Sequence, residues 1–109
     1  MRKSVSEATG HENLKGIIRK TLVYNDEVML CHFQMTKGSK IPLHNHRASQ
    51  VGYVMSGAVR FLGESEEDAF EARAGDSYVF DPHQTHGAIA LEESELTEVF
   101  SPAREEYKD

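Results

Sequence analysis

The sequence predicts an all-β fold, a single antiparallel β-sandwich or barrel formed by residues 1–109 as one domain. Three observations predict it. Short runs rich in Val, Ile, Phe and Tyr recur along the chain, and such residues suit a pleated, half-buried surface. Clusters of Gly, Asn, Asp and Ser stand between them, the residue types whose backbone preferences close tight turns. Finally, 109 residues suffice for one hydrophobic core and not for two.

Residues 1–14 read as a polar N-terminal extension. Arg2 and Lys3 are followed by no apolar run, so no signal peptide is expected. No segment approaches the roughly 20 apolar residues of a membrane span, and the expected location is cytoplasmic, with no membrane partner. "IIRKTLVY" and "EVMLCHFQM" then read as two strands joined through "NDE". Cys31 is the only cysteine, which rules out an internal disulfide, and its apolar run marks it as a small core filler rather than a nucleophile.

After the turn "TKGSK", "SQVGYVMSG" is the next strand. Side chains alternate along a strand, so Gln50, Gly52 and Val54 share one face and Val51, Tyr53 and Met55 the other. Both faces are largely apolar. The outer one needs a cover, either an N-terminal strand or a second subunit, and a homodimer is expected. "AVRFLG", "DSYVF", "GAIAL" and "LTEVF" complete seven strands, separated by "GESEED", "RAGD" and similar turns. Closely spaced strands with no convincing helix imply the antiparallel sandwich or barrel. The net charge of -6 and the acidic stretch "GESEEDAFE" exclude a phosphate-backbone partner, so no nucleic acid is expected.

His44 and His46 share parity, so in an extended segment both imidazoles leave one face with Cα atoms about 7 Å apart. That span suits two ligands of one ion. Gln50 has the same parity and can add its side-chain oxygen if the segment curves. A fourth donor is available in "GDSYVFDPHQTHG", where His86 opens another strand. The pair taken alone reads equally well as polar residues at a strand's mouth. His83 lies three residues before His86 and reads as a turn residue, while His11 and His32 have no partner by spacing. Imidazole donors suit zinc, nickel, iron or copper, and an amide oxygen also admits manganese.

The frame around these residues resembles the two motifs of the cupin superfamily. Gly38, His44, His46, Gln50 and Gly57 meet the first, with Gln in its acidic slot. Gly75 and His86 meet the second, in which Asp81 and His83 replace the usual proline and glycine. The resemblance runs from about Met29 to Arg104. It implies a small cupin-like jelly-roll β-barrel holding one divalent metal ion (Zn, Ni, Mn or Fe) on His44, His46, Gln50 and His86. All four donors are neutral, so such an ion would keep its full charge and act as a Lewis acid.

Leu96, Glu98 and Phe100 share one strand face, and Arg104 follows the strand-ending Pro102. Spacing alone also allows Glu98 and Arg104 to be ordinary surface charges. The strings "PLHNHRASQVGYVMSG", "GDSYVFDPHQTHGA" and "EVFSPAREEY" resemble the KdgF-like subgroup of cupins, enzymes that open 4,5-unsaturated uronate monosaccharides from pectin and alginate. Their ending reads Asp-x-Phe-x-x-x-Arg, and the resemblance implies Glu98, Phe100 and Arg104 as the catalytic set. Glutamate replaces the family's aspartate, which keeps the carboxylate and moves it by about one methylene. A small carboxylated sugar or acid is the expected partner. Two other readings share the same donors: a non-catalytic metal-dependent binding or sensing module, and an iron-dependent dioxygenase.

Overall fold

A computed structural model describes residues 1–109. Ten strands follow one another: β1 (Gly10–Leu14), β2 (Ile17–Tyr24), β3 (Met29–Met35), β4 (Lys40–His44), β5 (Ser49–Ser56), β6 (Ala58–Leu62), β7 (Phe70–Arg73), β8 (Ser77–Phe80), β9 (His86–Ala90) and β10 (Ser94–Ser101). All pair antiparallel, in a six-stranded sheet ordered β1-β2-β3-β10-β5-β8 and a four-stranded sheet ordered β4-β9-β6-β7. The expected all-β antiparallel fold is thus built from two sheets. Helical structure is limited to three short 3-10 turns, and no helix is long and apolar enough to cross a membrane.

The seven strands expected from apolar alternation are all present. β1, β4 and β7 are additional, and each hides from a pattern search for a physical reason. β1 is a polar edge strand within the N-terminal extension, almost wholly exposed, β4 contains Pro42, and β7 has only four residues. β1 lengthens the large sheet at its edge instead of covering its outer face.

Alternation places one row of each strand in a shared core. Met29, Cys31, Phe33, Val54, Leu96 and Phe100 of the large sheet meet Val59, Phe61, Ala72 and Ala88 of the small one in a single cluster. Cys31 is fully buried in it, and burial pushes its thiol up to about 11, so it packs as a small apolar group.

β10 lies between β3 and β5, so the last strand of the chain is central to the large sheet. Its inward residues Leu96, Glu98 and Phe100 stand opposite Phe33, Cys31 and Met29 on one side and Val54, Gly52 and Gln50 on the other. On the outer face the register aligns Leu30, Val99, Val51 and Val79 in one row across four strands. Val51, Tyr53, Met55 and Val79 there remain roughly half exposed.

Gly57 turns β5 into β6 with φ +88, and a Cβ placed on it would lie 2.3 Å from both the Glu93 carbonyl oxygen and Ser94 Oγ. Gly38 also has a positive φ, +85, but faces open space. Gly38→Ala is expected to pay only the left-handed backbone cost of about 1–2 kcal/mol. Gly57→Ala must also displace backbone, and urea unfolding should show a distinctly lower midpoint for it than for Gly38→Ala.

Candidate metal centre

Four side chains from both sheets converge near one end of the core. His86 opens β9 and stands directly across from His44 at the end of β4. His44 gets there through an irregularity: the register skips between Ile41 and His44, so an extra residue of β4 faces β9. Ile41 lines the interior, and strict alternation would send Leu43 inward after it and His44 outward. The bulge reverses this, leaving Leu43 53% exposed and turning His44 in. Gly87 accommodates the bulge, since a Cβ there would lie 2.8 Å from the Ile41 carbonyl oxygen. His46 projects from the loop after β4, and Gln50 points inward from β5.

The ring centroids of His44, His46 and His86 are 4.5–5.5 Å apart, and their candidate ligand atoms lie within 4.8 Å of one another. Each ring is held from behind by its own chain. Nδ1 of His44 donates to the Pro42 carbonyl at 2.9 Å, Nδ1 of His46 to Ala48 at 2.8 Å, and Nδ1 of His86 to Gln84 at 2.8 Å. A carbonyl only accepts, so Nδ1 keeps the proton and the neutral ring turns an Nε2 lone pair to the centre. Gln50 Oε1 joins them, 3.0 Å from His46 Nε2 and 3.2 Å from His86 Nε2.

Acceptors therefore face acceptors. Protonating the rings would relieve the repulsion, but burial lowers the pKa of His86 to about 4 and that of His46 as well. A divalent cation satisfies all four groups at once, and three imidazoles with backbone-fixed tautomers plus an amide oxygen form a donor set that fits one. Phe80 stacks on the His86 ring at 4.2 Å, and Phe100 meets the His46 ring edge-on at 5.9 Å, keeping the imidazoles in apolar surroundings.

Behind Gln50 lies the carboxylate expected from β10. Glu98 is buried, and its Oε2 accepts from Gln50 Nε2 at 2.6 Å and from Tyr78 Oη at 2.5 Å. Burial raises the Glu98 pKa, opposed by those two hydrogen bonds and by the charge of Arg104. Tyr78 reaches Glu98 by lying over Gly52, where an alanine Cβ would fall 2.1 Å from the phenol ring. Arg104 is mostly buried and stacks its guanidinium 5.2 Å from the Phe100 ring centroid and 4.1 Å from that of Tyr107.

Most of these groups line one cavity that opens to solvent. Its polar wall includes His44, Gln50, His86, Glu98 and Arg104, and its apolar wall includes Ile41, Phe61, Ala88 and Leu96. The structure thus brings every expected site residue to one cavity except His46, which touches it through Gln50. Sequence reasoning missed Tyr78, Arg19 and Tyr107. Arg19, buried on β2, donates to the Tyr107 carbonyl at 3.1 Å and covers the Tyr107 ring at 4.4 Å, on a ring that Arg104 also stacks against. No spacing rule links residues 19, 104 and 107. His11, given no role by its sequence context, lines the cavity from β1 and lies 3.3 Å from Asp109. His32 instead pairs with Glu95 at 2.6 Å, and His83 takes the expected turn with φ 63.

Fold and site together define the class: the chain belongs to the cupin family, whose cupin-domain model matches residues 31–100. Among its relatives is the pectin degradation protein KdgF of Dickeya dadantii, 31% identical over 106 residues, covering 94% of each chain. A structure of KdgF from Halomonas sp. superposes with a TM-score of 0.90 at 29% identity, over 99% of this chain and 100% of that one. An RmlC-like cupin from Shewanella frigidimarina gives 0.88 at 31% identity with the same coverage.

Arg19 ties the C-terminal turn to β2 through the Tyr107 carbonyl and Asp109. Hydrogen bonds from a charged donor are worth about 1.5–3 kcal/mol each. Arg19→Met is expected to lower unfolding stability by roughly that amount, read in urea, and to speed proteolytic trimming of the residues after Arg104.

Proposed function

We propose that this cupin holds one divalent metal ion on His44, His46, Gln50 and His86 and opens 4,5-unsaturated uronate monosaccharides into their linear keto forms. The observation that carries the reading is one cavity lined by three of the four converging neutral donors, a buried carboxylate and a ring-stacked guanidinium, with the fourth donor, His46, reaching it through Gln50. The KdgF relatives, matched over nearly the whole chain, support the substrate class.

Ring opening is an isomerisation. The anomeric hydroxyl loses a proton, and the bond from C1 to the ring oxygen breaks with its electron pair on oxygen. C4 then gains a proton, leaving an aldehyde at C1 and a ketone at C5. The bound ion supplies Lewis-acid polarisation of a sugar oxygen. Arg104 receives the substrate carboxylate with two parallel N–H donors, and its stacking on Phe100 and Tyr107 holds the guanidinium plane. Glu98 moves the proton. Its Oε2 is engaged by Tyr78 and Gln50, so Oε1 is the oxygen available to the cavity, and burial keeps the carboxyl able both to take and to return a proton. Phe100 packs against the sugar and excludes water from the reacting carbons.

Metal-loaded protein should remove the conjugated enol-ether absorbance of unsaturated uronates, and chelator-stripped protein should not. Glu98→Gln is expected to lower turnover by on the order of 10²–10⁴ while still binding metal. Undiminished turnover in Glu98→Gln would remove Glu98 from proton transfer. Metal and uronate binding without any decay would instead favour a binding module.

The row of exposed aliphatic residues on the large sheet supports a homodimer built on that face. Light scattering at micromolar concentration should give twice the chain mass of 12.3 kDa, and Val51→Glu should return it to the monomer value. A wild-type monomer rules the dimer out.

A further inference from the structure

An amide ligand has an ambiguity that a carboxylate lacks. Its two ends are nearly the same size, and only one of them binds a cation. In the site before metal enters, the wrong end is the favoured one: Nε2 of Gln50, turned toward the histidines, would donate hydrogen bonds to the lone pairs of His46 and His86. Some other group must hold the oxygen there against that preference.

We propose that Glu98 and Tyr78 are positioning residues of the metal site, which fix the Gln50 amide with its oxygen toward the histidines. The inference rests on the reading of His44, His46, Gln50 and His86 as ligands. Glu98 Oε2 accepts from Gln50 Nε2 at 2.6 Å while Gln50 Oε1 lies 3.0 and 3.2 Å from the two imidazoles. Turning the amide over would set Gln50 Oε1 against Glu98 Oε2, acceptor against acceptor. Oε2 serves as an acceptor whether or not Oε1 carries a proton, because two donors already converge on it.

Glu98 is itself moored. The Tyr78 hydroxyl donates to the same oxygen at 2.5 Å, and the phenol ring is seated in the notch that Gly52 leaves on β5. Gly52 pairs with Tyr78 on one side and with Glu98 on the other, so the three residues form one cross-strand row behind the ligand. The carboxylate proposed to move a proton through Oε1 thereby also orients a ligand through Oε2.

Metal dissociation constants, measured by competition with a chromophoric chelator, test this without reference to turnover. Glu98→Gln keeps an acceptor oxygen in the Oε2 position and is expected to bind metal within about threefold of wild type. Glu98→Leu removes the acceptor and should weaken binding by about 10–100-fold, as loss of a ligand's outer partner does. Tyr78→Phe removes one hydroxyl and gives the safer fold; a loss of affinity smaller than that of Glu98→Leu is expected. Wild-type affinity in both Glu98→Leu and Tyr78→Phe would overturn the proposal.

A second readout separates its failure from that of the ligand assignment. In metal-free protein the nitrogen-15 NMR signals of the Gln50 side-chain amide should report a hydrogen bond in wild type and in Glu98→Gln that is lost in Glu98→Leu. Unchanged signals in Glu98→Leu would overturn the positioning role. If wild type took up no ion, the ligand reading would fall while these signals still decided the amide's orientation.

Discussion

The site depends on a conflict of lone pairs. Three carbonyls, of Pro42, Ala48 and Gln84, claim the Nδ1 protons of His44, His46 and His86 and thereby aim three Nε2 lone pairs at one point. Each of these carbonyls belongs to a residue two positions from its histidine, so the orientation is written into local chain geometry rather than borrowed from distant packing. Gln50 adds a fourth acceptor. Burial makes protonation costly there, and a cation is one partner that would satisfy the cluster. The donors are all neutral, and the nearest acidic group is Glu98, which Gln50 Nε2 joins to the cluster at 2.6 Å.

The two sheets divide the work. The small sheet and its loop supply the histidines, while the large sheet supplies Gln50, Glu98 and Tyr78 from three adjacent strands. Neither sheet alone holds a complete site. The register joining β10, β5 and β8 sets Gly52 between Tyr78 and Glu98, and the absence of a single Cβ lets the phenol cross the strand. Elsewhere in the cavity wall two guanidiniums share one aromatic ring, Arg19 at 4.4 Å and Arg104 at 4.1 Å from its centre. Two like charges meet there because the ring's negative faces favour both.

Alternation put Leu96, Glu98 and Phe100 on one face of β10 but did not say which way that face looks; the family resemblance pointed it inward, where the structure buries all three. The histidine pair was legible for a reason that the structure revises. Shared parity on an extended segment does not place His44 and His46 together; a bulge at the end of β4 turns His44 inward, and His46 sits in the loop beyond it. Such a bulge leaves no signature in the pattern of Ile41, Pro42 and Leu43 except the glycine that faces it forty-odd residues later. Tyr78 was illegible for the same reason: its role follows from cross-strand register, which one sequence read alone does not give. His83 shows the reverse, a residue in place of the motif's glycine that still takes a left-handed turn, at φ 63, and donates its backbone N–H to the His46 carbonyl at 2.7 Å.

The central place of β10 has a kinetic meaning. Residues 94–101 must insert between strands formed by residues 29–35 and 49–56, so the large sheet cannot be completed until nearly the whole chain is available. Closing such long loops is entropically unfavourable before the contacts form, and sheets dominated by distant pairings fold slowly. Until then the edges of β3 and β5 stand open, the period in which the chain is most exposed to mispairing. The same strand carries Glu98 and Phe100, so one wall of the cavity and the last seam of the sheet are made in one event, and a partly folded chain lacks that wall.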